Sequence, residues 1–193
     1  MLKTLGLRFR KIDILNFAIG TVLPMIILFI IYSFVKSNTI LQGNDFLSLL
    51  IKNKGKFIFY FFVAFIEEVV FRGLIFRMLL KKYKNKYLSC MIAALIFTLP
   101  HIFNTDNISI LIMFIFPLLY GILANEMFYF TKSIWMSTGF HWLWNYTITS
   151  LFLATGTQNL IYMHIIVAMI IVIPLFYIIS SKMSLGGNQS LPV

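Results

Sequence analysis

Long apolar stretches separated by short polar segments dominate the pattern of the chain. A helix needs about 20 mostly apolar residues to cross the hydrocarbon core of a bilayer. Stretches of that order recur along the sequence, and each is predicted to be a transmembrane helix: 16–35, 57–80, 87–103, 108–130, 133–153 and 160–180. The pattern therefore predicts an all-α fold, a polytopic membrane helical bundle with about six spans.

A shorter apolar stretch, residues 40–51, contains Asp45 and is too short to cross a bilayer as a helix. Such a segment is typical of an interfacial or re-entrant helix. Counting segments of this kind would raise the number of helices to about seven or eight. We expect residues 1–181 to form one transmembrane domain, and the polar residues 182–193 to form a disordered tail.

Composition and charge support the membrane interpretation. Apolar residues make up 60% of the chain, and 16 Lys and Arg stand against 6 Asp and Glu, for a net charge of +10. A soluble domain is less apolar. The basic residues flank the apolar stretches, at 3–11, 52–56 and 77–86, as membrane anchors do. We therefore predict a multi-pass protein of the cell membrane, in contact with the lipid bilayer, with no nucleic-acid partner.

The distribution of Lys and Arg among the short loops predicts the orientation. Basic loops favour the cytoplasm, so an even number of spans with basic termini places both ends of the chain inside. The loop with Lys36, Lys52, Lys54 and Lys56 would then lie outside, unless the 40–51 segment returns it to the inner surface. Both termini are predicted to be cytoplasmic.

Three ionisable residues interrupt the second apolar stretch: Glu67, Glu68 and Arg72. Each costs about 2.5–3.5 kcal/mol near the centre of a bilayer. Glu68 and Arg72 are spaced i, i+4, so an ion pair on one helical face can lower this cost, and stability alone could explain the pair. Glu67 is turned about 100° away and gains no partner from this spacing. Its presence favours a function.

Further polar residues lie in the third and fifth stretches. His101 follows Pro100, which removes a backbone donor and is predicted to break the helix near the membrane boundary. His141 and Asn145 share one face of the fifth stretch. Either histidine alone is more often structural, but two of them together with a glutamate pair predict a catalytic site.

Other reactive side chains are assigned to structure. Cys90 has no partner cysteine in the chain and is predicted to be a buried thiol. His164 has no polar neighbour at helical spacing. Glu126 lies near the inner end of the fourth stretch, where it could pair with Lys132 or shape a polar entrance.

Two carboxylates, two imidazoles, a guanidinium and an amide suit hydrolysis of a peptide bond by activated water. One glutamate would act as general base, with Arg72 keeping its neighbour ionised. Histidine and Asn145 could stabilise the oxyanion or protonate the leaving amine. No cofactor is required, although two His and one Glu could also bind a divalent metal such as zinc, with a second Glu as base. The sequence leaves this choice open.

Three motifs, Glu67-Glu68-x-x-x-Arg72, Phe97-x-x-x-His101 and His141-x-x-x-Asn145, resemble those of the CPBP intramembrane proteases, also called the CAAX prenyl protease 2 or Abi family. The resemblance covers residues 67–145. It implies an all-helical membrane bundle whose active site opens into a cavity within the membrane. It also implies that the glutamates form a water-activating pair, which His101, His141 and Asn145 complete.

The expected function is thus intramembrane endopeptidase, acting on a peptide or protein substrate reached within the membrane. The chain's size and its richness in Lys, Ile, Phe and Asn are similar to those of bacterial members, for which bacteriocin self-immunity and processing of exported peptides are suggested roles. One alternative is a non-enzymatic immunity or interaction protein with the same fold. An ion-coupled transporter is a further alternative, which predicts broken helices and internal repeats.

Overall fold

The computed structural model describes residues 5–7, 9–38, 45–103, 109–155 and 158–184. This part of the chain forms seven helices and no strand, which confirms the predicted all-α membrane bundle. Helix α3 is continuous but contains a central π-helical segment. The helices are α1 (Lys11–Asn38), α2 (Phe46–Lys52), α3 (Phe57–Glu68, Val69–Phe76 and Arg77–Tyr83), α4 (Lys86–Thr98), α5 (Ile110–Thr131), α6 (Trp135–Thr155) and α7 (Gln158–Ser184).

Each of the predicted apolar stretches corresponds to one of these helices, and the shorter stretch contains α2. Residues 39–44, where this stretch begins, lie outside the described residues. Helix α7 continues through Ser184 and thus overlaps the first residues of the predicted tail. Lys182 in its last turn favours this extension, since a cation near a helix C-terminus interacts well with the helix dipole. Residues 185–193 lie outside the description.

Three helical segments among the described residues are long and apolar enough to cross a membrane: Lys11–Lys36, Ile110–Thr131 and Ile161–Lys182. Segment Lys86–His101 is apolar but shorter. Large apolar side chains of α1 and α7, such as Ile30 and Ile171, point outward. Extended apolar surfaces of this kind are typical of proteins that contact lipid rather than water. The number of crossings and the orientation of the termini stay predictions.

Glycines allow α1 and α6 to pack with their backbones almost in contact. A Cβ atom at Gly20 would lie 2.1 Å from the carbonyl oxygen of Met136, and one at Gly139 would lie 2.6 Å from that of Phe17. Small residues serve this purpose widely between membrane helices. The close contact fixes α6, which carries two of the predicted site residues.

The π-helical segment Val69–Phe76 begins directly after Glu68. Single π turns inside α-helices are frequent at functional sites. Arg72 and Gly73 within it are buried. Gly73 lies against the N-terminal segment, because a Cβ atom there would be 2.6 Å from the carbonyl oxygen of Leu5. One face of the irregular part of α3 is therefore buried against the rest of the protein, whereas Val70 and Leu74 are exposed.

Candidate active site

Glu68 lies at the centre of a buried cluster of polar side chains. Its Oε1 atom accepts hydrogen bonds from Arg72 Nη1 at 2.9 Å, from the Tyr120 hydroxyl at 2.9 Å and from His141 Nδ1 at 3.0 Å. All four side chains are almost completely enclosed. Bonds to an ionised carboxylate are stronger than those between neutral groups. We call Glu68, Arg72, Tyr120 and His141 the buried cluster.

Aromatic rings enclose the charge of Arg72. Its guanidinium carbon lies 4.5 Å from the ring centroid of Phe97 and 5.2 Å from that of Tyr120. Desolvated cation–π contacts contribute up to about 2 kcal/mol. The 2.9 Å bond to Glu68 confirms the ion pair that the i, i+4 spacing predicts. Arg72 thus holds its charge in the core through one carboxylate and two rings.

His141 connects the two glutamates. Its Nδ1 atom contacts Glu68, and its Nε2 atom lies 3.5 Å from Oε2 of Glu67. A carboxylate oxygen without a proton can only accept, so Nδ1 carries the hydrogen of the Glu68 contact, and Nε2 is the atom that faces Glu67. The Glu67 side chain is 31% exposed, whereas that of Glu68 is fully buried. The adjacent carboxylates therefore occupy different environments.

His101 lies in a short 3₁₀ turn, Leu99–His101, that follows α4. The helix break predicted at Pro100 is confirmed. His101 Nδ1 lies 2.9 Å from the carbonyl oxygen of Phe97 and must donate to it, which leaves Nε2 as the second ring nitrogen. The Phe97 ring is 4.6 Å from the His101 ring and 6.0 Å from the His141 ring, between centroids. Phe97 thus lies beside both imidazoles.

Asn145 lies one turn after His141 on α6, and its side chain is half-buried. Glu67 and His101 are half-buried as well. We call Glu67, His101 and Asn145 the half-exposed edge of the site. The structure brings Glu67, Glu68, Arg72 and His141 into direct contact. His101 joins them through Phe97, and Asn145 by its position on α6.

Tyr120 is the member of the buried cluster that sequence reasoning missed. It lies in the apolar stretch of α5, 52 residues after Glu68 along the chain, so no local spacing relates the two residues. The available signal was general. A tyrosine hydroxyl within an apolar span needs a hydrogen-bond partner. Its partner is a predicted catalytic carboxylate.

The remaining reactive residues lie in other contacts. Glu126 pairs with Lys86, with 2.6 Å between Oε2 and Nζ, and not with Lys132 as suggested from sequence. Lys132 instead places its ammonium 4.0 Å from the ring centroid of Tyr129. Cys90 is buried, as predicted. The His164 ring packs 5.3 Å from that of Phe34, between centroids.

The described residues contain no group of three or more His, Cys, Asp or Glu that could hold a metal ion. The metal-dependent alternative therefore gains no ligand set from the geometry of these residues.

The protein is a membrane helical bundle. Its buried Glu–Arg–His cluster lies beside half-exposed Glu, His and Asn side chains, and together these are the polar groups of a membrane hydrolase. Residues 55–147 match the model of the family "Type II CAAX prenyl endopeptidase Rce1-like". This match confirms the predicted resemblance to the CPBP intramembrane proteases. No curated protein and no solved structure matches the chain.

The matched region extends from the start of α3 into α6 and contains every predicted site residue. The family match implies a protease with a peptide or protein substrate, and together with the apolar helices it indicates a membrane protein.

Proposed function

We propose that this protein is an intramembrane endopeptidase in which Glu67 activates the attacking water. The observation that carries the proposal is the difference between the two carboxylates. Glu68 is enclosed and accepts three donors on one oxygen, which stabilises its ionised form and makes it a poor base. Glu67 is half-exposed and lies 3.5 Å from His141. It can therefore accept a proton from water.

In the proposed reaction, Glu67 removes a proton from water, and the resulting hydroxide attacks the carbonyl carbon of the scissile bond. The negative charge that develops on the carbonyl oxygen requires donors. The Asn145 carboxamide supplies N–H donors, and a His141 ring that carries hydrogens on both nitrogens supplies a further one at Nε2. Glu67 then returns its proton to the leaving nitrogen as the C–N bond breaks. Glu68 and Arg72 hold His141 in the orientation that this requires.

His101 has a separate role in this proposal. Because its Nδ1–H donates to the Phe97 carbonyl, the neutral ring presents Nε2 as an acceptor. We assign this nitrogen to the second hydrogen of the attacking water, which Glu67 and His101 would orient together. A base positioned in this way contributes about 10²–10⁴-fold to a rate.

The substrate is a peptide or protein reached within the membrane. Prenylated CAAX peptides, the class named in the family description, are one candidate. Exported peptides and a role in bacteriocin self-immunity of a bacterial cell are the other proposals. A multi-pass arrangement in the cell membrane, with both termini in the cytoplasm, completes the proposal.

Purified protein in lipid vesicles would be tested against two probes, a farnesylated CAAX reporter peptide and a peptide pool from digested membrane proteins, with products identified by mass spectrometry. We expect Glu67→Gln to lower cleavage about 10³-fold. Glu126→Gln is the matched control, because this glutamate pairs with Lys86 outside the site.

Undiminished cleavage by the Glu67→Gln variant would show that the mechanism is wrong. Wild-type protein that cleaves neither probe would favour the non-enzymatic alternative. Loss of activity with a chelator, and its return with zinc, would replace the metal-free mechanism by the metal-dependent one.

A further inference from the structure

Several polar contacts join α3 and α6, among them the His141–Glu68 bond and a bond from the Trp142 indole to the Phe57 carbonyl oxygen, and two further contacts lie about two turns apart. The first is the contact of Glu67 with His141, at 3.5 Å between Oε2 and Nε2. In the second, the Thr149 hydroxyl donates to the Tyr60 hydroxyl at 3.0 Å. Tyr60 precedes Glu67 on α3, whereas Thr149 follows His141 on α6. The two helices therefore run antiparallel, and both contacts lie along the same interface.

The spacing of these contacts follows from helix geometry. The Phe57–Glu68 part of α3 is regular α-helix, so Tyr60 and Glu67 lie on one face, two turns apart. On α6, Asn145 lies one turn from His141 and one turn from Thr149. With a rise of about 1.5 Å per residue, the two contacts are separated by about 10–12 Å. We call Tyr60, Glu67, His141, Asn145 and Thr149 the polar strip.

Most side chains of the polar strip are only partly enclosed. Tyr60, Glu67, Asn145 and Thr149 are half-buried, whereas His141 is buried, as is Ala64, which lies between Tyr60 and Glu67 on the same face of α3. Another face of α6 is closed by α1, at the Gly139 contact.

Ionisable side chains within membrane helices are costly and usually have a function. Glu67, His141 and Asn145 have one in the proposed reaction. Tyr60 and Thr149 do not, and their contact continues the same line of polar groups beyond the reacting atoms.

We infer that Tyr60 and Thr149 form a substrate subsite, which binds the backbone of an extended polypeptide about three residues from the scissile bond. The inference rests on the proposed protease function. An extended chain rises about 3.3 Å per residue, so three residues cover the distance between the two contacts. The substrate chain would lie alongside α3, with Asn145 between the scissile bond and the subsite.

The hydrogen-bonding capacity of the pair fits a peptide group. Because Thr149 donates to Tyr60, the Tyr60 O–H remains free to donate to a substrate carbonyl. The Thr149 oxygen keeps lone pairs that can accept a substrate N–H. One pair of side chains therefore offers the donor and the acceptor that a backbone segment needs.

The test compares kcat and KM, and the cleavage profile on the membrane-protein peptide pool, for Tyr60→Phe and Thr149→Val. Both variants remove a hydroxyl with little change of shape. We expect KM to rise about five- to tenfold with kcat within about twofold, because the lost hydrogen bond contributes to binding. Sequence preference should change at the third residue from the cleaved bond and not next to it.

Tyr146→Phe is the matched control. This change also removes a tyrosine hydroxyl, but from a buried residue of α6. The Tyr146 hydroxyl donates to the carbonyl oxygen of Leu50 and lies outside the polar strip. This variant should keep the wild-type KM and profile. Thr149→Ser, which retains the hydroxyl, should restore a KM close to that of the wild type.

Wild-type KM and profile in both strip variants would overturn the subsite and leave the protease function intact. A fall in kcat at constant KM would also overturn it, and so would a Thr149→Ser variant that behaves like Thr149→Val. Failure of the wild type to cleave any peptide would instead reject the proposed function itself.

Discussion

The buried cluster and the half-exposed edge of the site meet at two adjacent residues, Glu68 and Glu67. In the cluster, Glu68 accepts three hydrogen bonds and has no exposed surface. At the edge, Glu67 contacts His141 and retains exposed surface. In the proposed mechanism, environment and not residue type separates the positioning group from the reactive one.

The sharpest test of this comparison is Glu68→Gln, set beside Glu67→Gln. Loss of the Glu68 charge leaves Arg72 without its counter-ion in the core, so the free energy of unfolding should fall by about 3 kcal/mol. Cleavage should also fall, because His141 loses the acceptor that orients it. Chemical unfolding in detergent followed by tryptophan fluorescence measures the first effect, and the peptide assay the second.

Glu67→Gln should leave the unfolding free energy nearly unchanged. The comparison fails if Glu68→Gln abolishes cleavage without loss of stability. In that event Glu68 would be the better candidate for the base, and the assignment of the two glutamates would have to be exchanged.

A smaller effect is expected from Tyr120→Phe. This change removes one of the three donors to Glu68 and keeps the ring beside Arg72. We expect kcat to fall about tenfold at unchanged KM, and the unfolding free energy to fall by about 1 kcal/mol. Steady-state kinetics and unfolding measure both values. A raised KM with constant kcat would place Tyr120 in substrate binding instead.

Outside the apolar spans, Lys132 offers a further comparison, because it is a half-buried cation with no carboxylate partner in the part of the chain that the structure describes. Burial and the nearby Lys86 lower its pKa from 10.5 to about 8. Between these pH values the unfolded state binds more protons than the folded state, so stability should rise as the pH increases. Lys132→Met should remove this small rise.

Melting temperatures measured from pH 8 to pH 10.5 check this prediction, because the window is bounded by the folded and unfolded pKa values. Lys82→Met, which changes an exposed lysine at the end of α3, is the control and should keep the wild-type slope. An equal slope in the wild type and the Lys132→Met variant would contradict the assignment.

Local spacing was sufficient to predict the helices, the Glu68–Arg72 pair, the break at Pro100 and the family. Each of these features depends on residues within about one helical turn of each other or on contiguous apolar length. Spacing also predicted that the motifs share a site, although the catalytic roles of its residues stay predictions.

Contacts between distant helices could not be predicted. Tyr120 contacts Glu68 across 52 residues of sequence. Glu126 pairs with Lys86 rather than with Lys132, which is nearer in the sequence, because of tertiary packing. The π-helical segment of α3 was also missed, since the prediction assumed a regular helix. These features depend on the packing of helices against one another, which the spacing of residues along one helix does not encode.

The glycine contact between α1 and α6 limits the ways in which the site can open to a substrate. Because Gly20 and Gly139 leave no room for even a methyl group, sliding of one helix past the other would bring their backbones into collision. The two helices therefore move as one body, and His141 and Asn145 are carried on its rigid surface. Any opening that admits a polypeptide must come from displacement of the other wall, formed by α3, α4 and α5.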